Sequence, residues 1–123
     1  MSERTTAPDC IFCKIASGEI PVNFIYEDDA VVAFHDASPQ APVHALVIPR
    51  VHHANLGDEV GQELMGRLFS VVPRIAEELG VAQSGYRTVV NTGPDSGQTV
   101  HHLHVHVIGG APMGERMVKR CEA

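Results

Sequence analysis

The chain has 123 residues, 44% of them hydrophobic and 20% charged, the balance of one soluble globular domain with a single core. Its formal net charge of −6 counts against nucleic acid as a partner, because binding a polyanion needs a concentrated basic surface. No apolar run approaches the ~20 residues of a membrane-spanning helix, so no membrane partner is expected.

In chain order, Met1 to Pro8 is polar and lacks the apolar stretch of a secretion signal, which predicts residues 1–9 as a frayed leader of a cytoplasmic protein. Cys10 to Ala16, CIFCKIA, predicts a short helix closed by Ser17 and Gly18. Asn23 to Glu27 and Ala30 to His35 predict two short strands about an acidic turn, Glu27-Asp28-Asp29, read as solvated rather than metal-binding. Pro39 and Pro42 make Ser38 to Pro42 a loop; His44 to Ile48 is the next strand, stopped by Pro49. Arg50 to Leu56 reads as a polar connection in which His52 and His53 face solvent.

From Gly57 to Leu79, Val60, Leu64, Leu68, Ile75 and Leu79 recur at helical spacing, and Pro73 predicts a kink near Phe69. Tyr86 to Asn91 and Leu103 to Ile108 are two further strands, joined by the glycine-rich loop Thr92 to Val100. There is no internal repeat or linker. The expectation is one α+β domain with a mainly antiparallel five-stranded sheet, one short and one long helix, and a tail from 114 to 123.

Histidine placement carries the chemistry. Of 8 histidines in the chain, His101, His102, His104 and His106 fall within six residues. His102, His104 and His106 alternate with Leu103, Val105 and Val107, so a strand sends the three imidazoles to one face and the aliphatics to the core. His101 then points the other way and reads as structural. Same-face neighbours lie ~6.6 Å apart and the outer pair ~13 Å apart, so His104 and His106 can bracket one phosphate but His102 and His106 cannot share it. Imidazole is a competent nucleophile and proton carrier near neutral pH. The preceding loop, Asn91 to Thr99, supplies glycines, amides and a hydroxyl for anionic oxygens. Together they point to phosphoryl or nucleotidyl transfer. A metal-dependent hydrolase that uses the triad as ligands stays open, because His-x-His on a strand is also a familiar zinc arrangement. Three cysteines make no disulfide framework; the Cys10–Cys13 pair suggests metal or redox chemistry, and Cys121 reads as an idle thiol.

The run from Gly97 to Gly110, GQTVHHLHVHVIGG, resembles the signature of the histidine triad (HIT) family. The trailing Gly109-Gly110 and Met113 look like its Hint-type branch, the nucleoside phosphoramidases, rather than the Fhit-type dinucleotide hydrolases. Ile11-Phe12, Lys14-Ile15, Glu19-Ile20-Pro21, Phe34-His35-Asp36 and Ser38 to His44 match that branch in order, so the resemblance spans roughly residues 10 to 113. It implies hydrolysis of purine nucleoside 5′-monophosphate conjugates, phosphoramidates or acyl nucleotides, with His104 as the nucleophile of a covalent nucleotidyl intermediate. His106 would contact the phosphate and assist proton transfer, and Thr99 would place a hydroxyl near the leaving group. Asn91, Gly97 and Gln98 resemble the phosphate-binding set and Asp36 the ribose acid. Phe12, Ile15, Phe34, His35 and Ala37 resemble the purine pocket.

The resemblance further implies a HIT-like fold and a homodimer whose two sheets join across a two-fold axis. Cys10 and Cys13 resemble the zinc-binding variety of the family, which implies a closed, structural site of Cys10, Cys13, His44 and His102, with no cofactor needed for the chemistry. A nucleotide-binding regulatory module with incidental turnover is the other reading left open.

Overall fold

The computed structural model describes residue 7 and residues 9–115; Cys121 and most of the predicted leader and tail lie outside the described residues. The chain runs through helix α1 (Ile11–Ser17), strands β1 (Tyr26–Glu27), β2 (Val31–His35) and β3 (Val43–Pro49), helices α2 (Gln62–Ser70) and α3 (Val72–Glu78), then β4 (Tyr86–Val89) and β5 (Val105–Gly109). The five strands form one sheet in the order β1-β2-β3-β5-β4, and each neighbouring pair is antiparallel. This is the expected α+β class.

Period-two alternation splits the core between the two faces of the sheet. Val31, Ala33, Ala45, Val47, Leu103, Val105 and Val107 pack with Leu68, Val71, Val72 and Ile75 of the α2–α3 layer. The alternate residues Val32, Phe34, Leu46 and Ile48 pack with Phe12, Ile15 and Ala16 of α1. Since β2 and β3 are covered on both sides, they read as unbroken apolar runs. The histidines His44, His104 and His106 share the α1 face.

Boundaries differ from the sequence reading where side chains capture the backbone. Cys10 is the N-cap of α1, its Sγ accepting from the Cys13 N–H at 3.3 Å, and Gly18 closes the helix with φ 87°, a left-handed C-cap suited to glycine. The strand expected from Asn23 shortens to Tyr26–Glu27, entered through the Ile25 N–H to Ala33 O bond. Asp28 Oδ1 accepts from the N–H groups of Ala30 and Val31, and Arg67 reaches Asp29 at 2.6 Å, so the acidic connection is a built turn.

The long helix starts five residues late, at Gln62. Residues 54–58 form their own turn, with Asp58 Oδ2 accepting from the Ala54 N–H and Asn55 Oδ1 from the Gly57 N–H, and Glu59 follows at φ 49°, outside helical space. Pro73 lies in the first turn of α3, where its missing N–H costs nothing, and the break falls at Val71.

Candidate active site

The triad histidines share one side of the chain, as the alternation predicts, but only His106 lies within β5; His104 precedes it outside the strand and His102 lies in a bend. Phe12 of α1 stands against both, its ring centroid 5.2 Å from His104 and 6.0 Å from His102, and the His104 and His106 rings lie 4.9 Å apart.

The three rings point at different partners. His104 is buried, and its Nδ1 lies 2.6 Å from the His102 carbonyl oxygen. A carbonyl only accepts, so Nδ1 carries the proton and the Nε2 lone pair is free. His44 Nδ1 accepts the Gln40 N–H at 2.9 Å, which puts the His44 proton on Nε2. That Nε2–H donates to His106 Nδ1 at 2.8 Å and stands 3.3 Å from Asp36 Oδ2. His106 therefore holds its own proton on Nε2. Desolvation, helped by the nearby rings of His104 and His44, pushes its pKa down to about 4, against the opposing pull of Asp36. At neutral pH it is an uncharged donor.

A cleft of about 460 Å³, the size of a small-molecule site, opens over His104 and His106. Phe12, Ile15 and Phe34 form an apolar wall; His35, Asp36 and Ala37 lie at the end of β2, and Thr99 also lines the cleft. Asp36 also shapes the next turn, its Oδ1 accepting from the Ser38 N–H at 2.7 Å, which leaves carboxylate lone pairs for a ligand.

Three expected phosphate-binding residues stand apart from this lining. Gln98 is buried and laces loops together: Nε2 donates to the carbonyls of Ala54 and Val100, and Oε1 accepts from the Gly93 N–H. The Gly97 N–H closes the short 3₁₀ turn Pro94–Ser96 by donating to Pro94 O. Asn91 is half-buried just beyond β4.

The cysteine site takes a different histidine from the one expected. Cys10, Cys13, His52 and His102 bring four donor atoms within 4.8 Å of one another, whereas His44 groups with Asp36 and His106. Long-range pairing explains the correction. His44 pairs with Ile108 at the far end of β5, while beyond the paired strands the Leu103 N–H donates to the His53 carbonyl at 2.6 Å, which brings the 52–53 segment beside His102. His52 is accordingly half-buried over the thiols and not a free loop residue. His101 is exposed, so the structural role expected of it is not seen.

The donor set fits zinc. Bonds of about 2.3 Å to sulfur and 2.0–2.1 Å to nitrogen put neighbouring tetrahedral ligands roughly 3.5 Å apart. Cys10 Sγ lies 3.2 Å from His102 Nδ1, and Cys13 Sγ lies 3.3 Å from His52 Nδ1 and 3.5 Å from His102 Nδ1. His102 Nε2 donates to Pro49 O at 2.8 Å, which turns the Nδ1 lone pair toward the sulfurs, and burial pushes its pKa down to about 4, favouring the neutral ligating form.

The HIT domain family model matches residues 17–113. The purine nucleoside phosphoramidase of Escherichia coli is 41% identical over 116 residues, covering 93% of this chain and 98% of that protein. An uncharacterized HIT-like protein of Synechococcus elongatus is 53% identical over 104 residues, covering 83% of this chain and 90% of its own length. Among solved structures, a HIT family hydrolase from Clostridium thermocellum superimposes with a TM-score of 0.88 at 42% identity, over 92% of this chain and 100% of that one. The antiparallel sheet, the alternating histidines and these likenesses agree: the chain belongs to the HIT family.

Proposed function

We propose that this protein hydrolyses purine nucleoside 5′-monophosphate conjugates, phosphoramidates and acyl nucleotides, through a covalent nucleotidyl intermediate on His104. The observation that carries the reading is the hydrogen bond from His104 Nδ1 to the His102 carbonyl, which fixes the tautomer with Nε2 bare beside the cleft. That lone pair attacks phosphorus and the bond to the leaving group breaks; water then attacks the phosphorus and frees the histidine. The departing nitrogen takes up one proton and the water returns one, so His106, standing by with its Nε2–H, ends the cycle as it began.

In this reading Asp36 accepts from the ribose hydroxyls and the Phe12–Ile15–Phe34 wall takes the base, with His35 and Ala37 at its edge. Thr99 stands at the leaving group, and Asn91, Gly97 and Gln98 hold the loop that faces the phosphate. The name of the Escherichia coli relative supports the substrate class. The divergence of the three rings, His102 to the sulfurs, His104 to a carbonyl and His106 to His44, disfavours a metal held by the triad as a whole.

Cys10, Cys13, His52 and His102 would hold a structural zinc. Four protein ligands leave no open position for water, so the ion would stabilise the fold and supply no chemistry to the reaction. The reduced thiol pair suits a cytoplasmic protein, and the chain would act as a homodimer. Quenching a reaction of adenosine 5′-phosphoramidate and mapping the nucleotidylated peptide by mass spectrometry tests the mechanism. The adduct is expected on His104; rapid turnover with no adduct, or an adduct elsewhere, overturns it.

A further inference from the structure

A second cleft, of about 390 Å³, opens beside the cysteine site, and Cys10 and His52 are among the residues that line it. Cys13 is not on that lining and is 6% exposed, so of the two cysteines it is the half-buried Cys10 that the cleft opens to solvent. Their sulfurs lie within 4.8 Å of one another at the first turn of α1. Cys10 Sγ also accepts the Cys13 N–H, so one atom both caps the helix and faces the His102 nitrogen. Phe12 stands between the cysteines in sequence, and its ring meets those of Phe34 at 5.7 Å and His104 at 5.2 Å. The other end of α1 is held separately: Arg50 donates to the Ala16 carbonyl at 2.7 Å, and Ile15 and Ala16 are buried in the core. The first turn can therefore shift while the helix stays docked.

We propose that Cys10 is the site at which a hydroperoxide oxidises this protein, and that the Cys10–Cys13 disulfide so formed releases the metal and loosens the Phe12 wall of the neighbouring cleft. The Cys10 thiolate sulfur attacks one peroxide oxygen, the O–O bond breaks, and the departing hydroxide takes a proton to become water. The Cys13 thiolate then attacks the sulfur of the Cys10 sulfenic acid; the S–O bond breaks and the second hydroxide leaves, also as water. Two thiolates, one hydrogen peroxide and two protons thus give one disulfide and two waters. Each sulfur gives up one electron, the peroxide takes both, and zinc, which has no redox chemistry of its own, departs unchanged. The disulfide takes both sulfurs from His52 and His102 and takes the cap from the Cys13 N–H, and these changes fall on the turn that carries Phe12. The oxidation site stands without the hydrolytic reading; its consequence for nucleotide binding rests on that reading, which puts the base against Phe12.

The test titrates the reduced, zinc-loaded protein with hydrogen peroxide and follows released zinc with a colorimetric chelator. About one zinc is expected per peroxide consumed, and the tryptic peptide of residues 5–14, which holds both cysteines, should become about 2 Da lighter while Cys121 still alkylates. In Cys13→Ser, which lacks the second thiol of the pair, dimedone should trap the sulfenic acid on Cys10. In Cys10→Ser the buried Cys13 should react about ten-fold more slowly. AMP affinity, measured by calorimetry, should fall about five-fold in the oxidised parent and return with dithiothreitol and zinc. Zinc retained with both thiols still alkylatable, sulfenic acid trapped on Cys13 as fast as on Cys10, or a disulfide that includes Cys121 overturns the oxidation site. Equal AMP affinity in the two redox states overturns the coupling to the Phe12 wall. AMP binding to neither state overturns the nucleotide reading, while zinc release and the lighter peptide would still uphold Cys10 as the oxidised residue.

Discussion

At the scale of single residues, one proton on each ring separates four histidines that look alike in sequence. His104→Ala removes the proposed nucleophile and is expected to lower turnover by at least ~10³-fold while AMP still binds, because orientation and phosphate contacts survive; retained burst kinetics in that variant would move the nucleophile elsewhere. Asp36→Ala should narrow the gap in affinity between ribose and deoxyribose nucleotides, measured by calorimetry, and undiminished sugar discrimination would leave Asp36 with only its turn to Ser38. His106 supplies a pH prediction. Its pKa falls from 6.5 to about 4 through desolvation, with His104 and His44 adding to the shift and Asp36 opposing it. Above pH 6.5 both folded and unfolded chains hold it neutral. Between 6.5 and 4 the unfolded chain binds a proton that the folded chain refuses, so this contribution to stability is lost as pH falls through that window. Denaturation midpoints measured across it should drop less in His106→Gln than in the parent, and an NMR titration of His106 centred near 6.5 would refute the account.

Elements show which parts of the site a sequence can display. Alternation made the shared face of the triad legible, and the C-x-x-C pair announced a metal-type donor set. The fourth ligand was hidden because it depends on long-range pairing: His44 and His52 stand within one short stretch around β3, and only the register with β5 sends His44 to His106, while the Leu103 N–H to His53 O bond beyond the strands sets His52 beside His102. The buried amide of Gln98 was equally invisible, since its partners Ala54 and Val100 belong to loops whose approach no periodicity records. Pro73 told of a break in the helix, but the late start at Gln62 came from side-chain bonds in the 54–58 turn. The correction is directly measurable. Metal analysis of the purified parent is expected to give about one zinc per chain, kept in His44→Ala and lost in His52→Ala and in Cys10→Ser/Cys13→Ser. Loss of the ion should free α1 from the β3 and β5 ends and lower Tm more than it lowers nucleotide turnover per folded molecule. Zinc lost from His44→Ala but kept in His52→Ala would restore the ligand set first expected from the sequence.

On the scale of the whole molecule, the sheet has two edges that meet different fates. β1 is only two residues long, a length that offers little to another strand. β4, Tyr86–Val89, is bonded to β5 on one side only, and among the described strands none covers the other. An exposed edge of this kind invites pairing, and joining two copies through β4 would make the continuous sheet expected of the homodimer. Thr88 is exposed while Tyr86, Arg87 and Val89 are partly buried, so the strand carries both the backbone groups and some of the side-chain surface for such a contact. The sheet also gives the contact a route to the site, because Val89 pairs with His106 across β4 and β5. Sedimentation equilibrium is therefore expected to give a mass near twice the 13.3 kDa of one chain. Hydrogen exchange should find the β4 amides that face away from β5 protected in that species, and exposed once dilution yields single chains. A single-chain mass at micromolar concentration, or a dimer whose outward β4 amides exchange freely, would place the two-fold contact away from this edge.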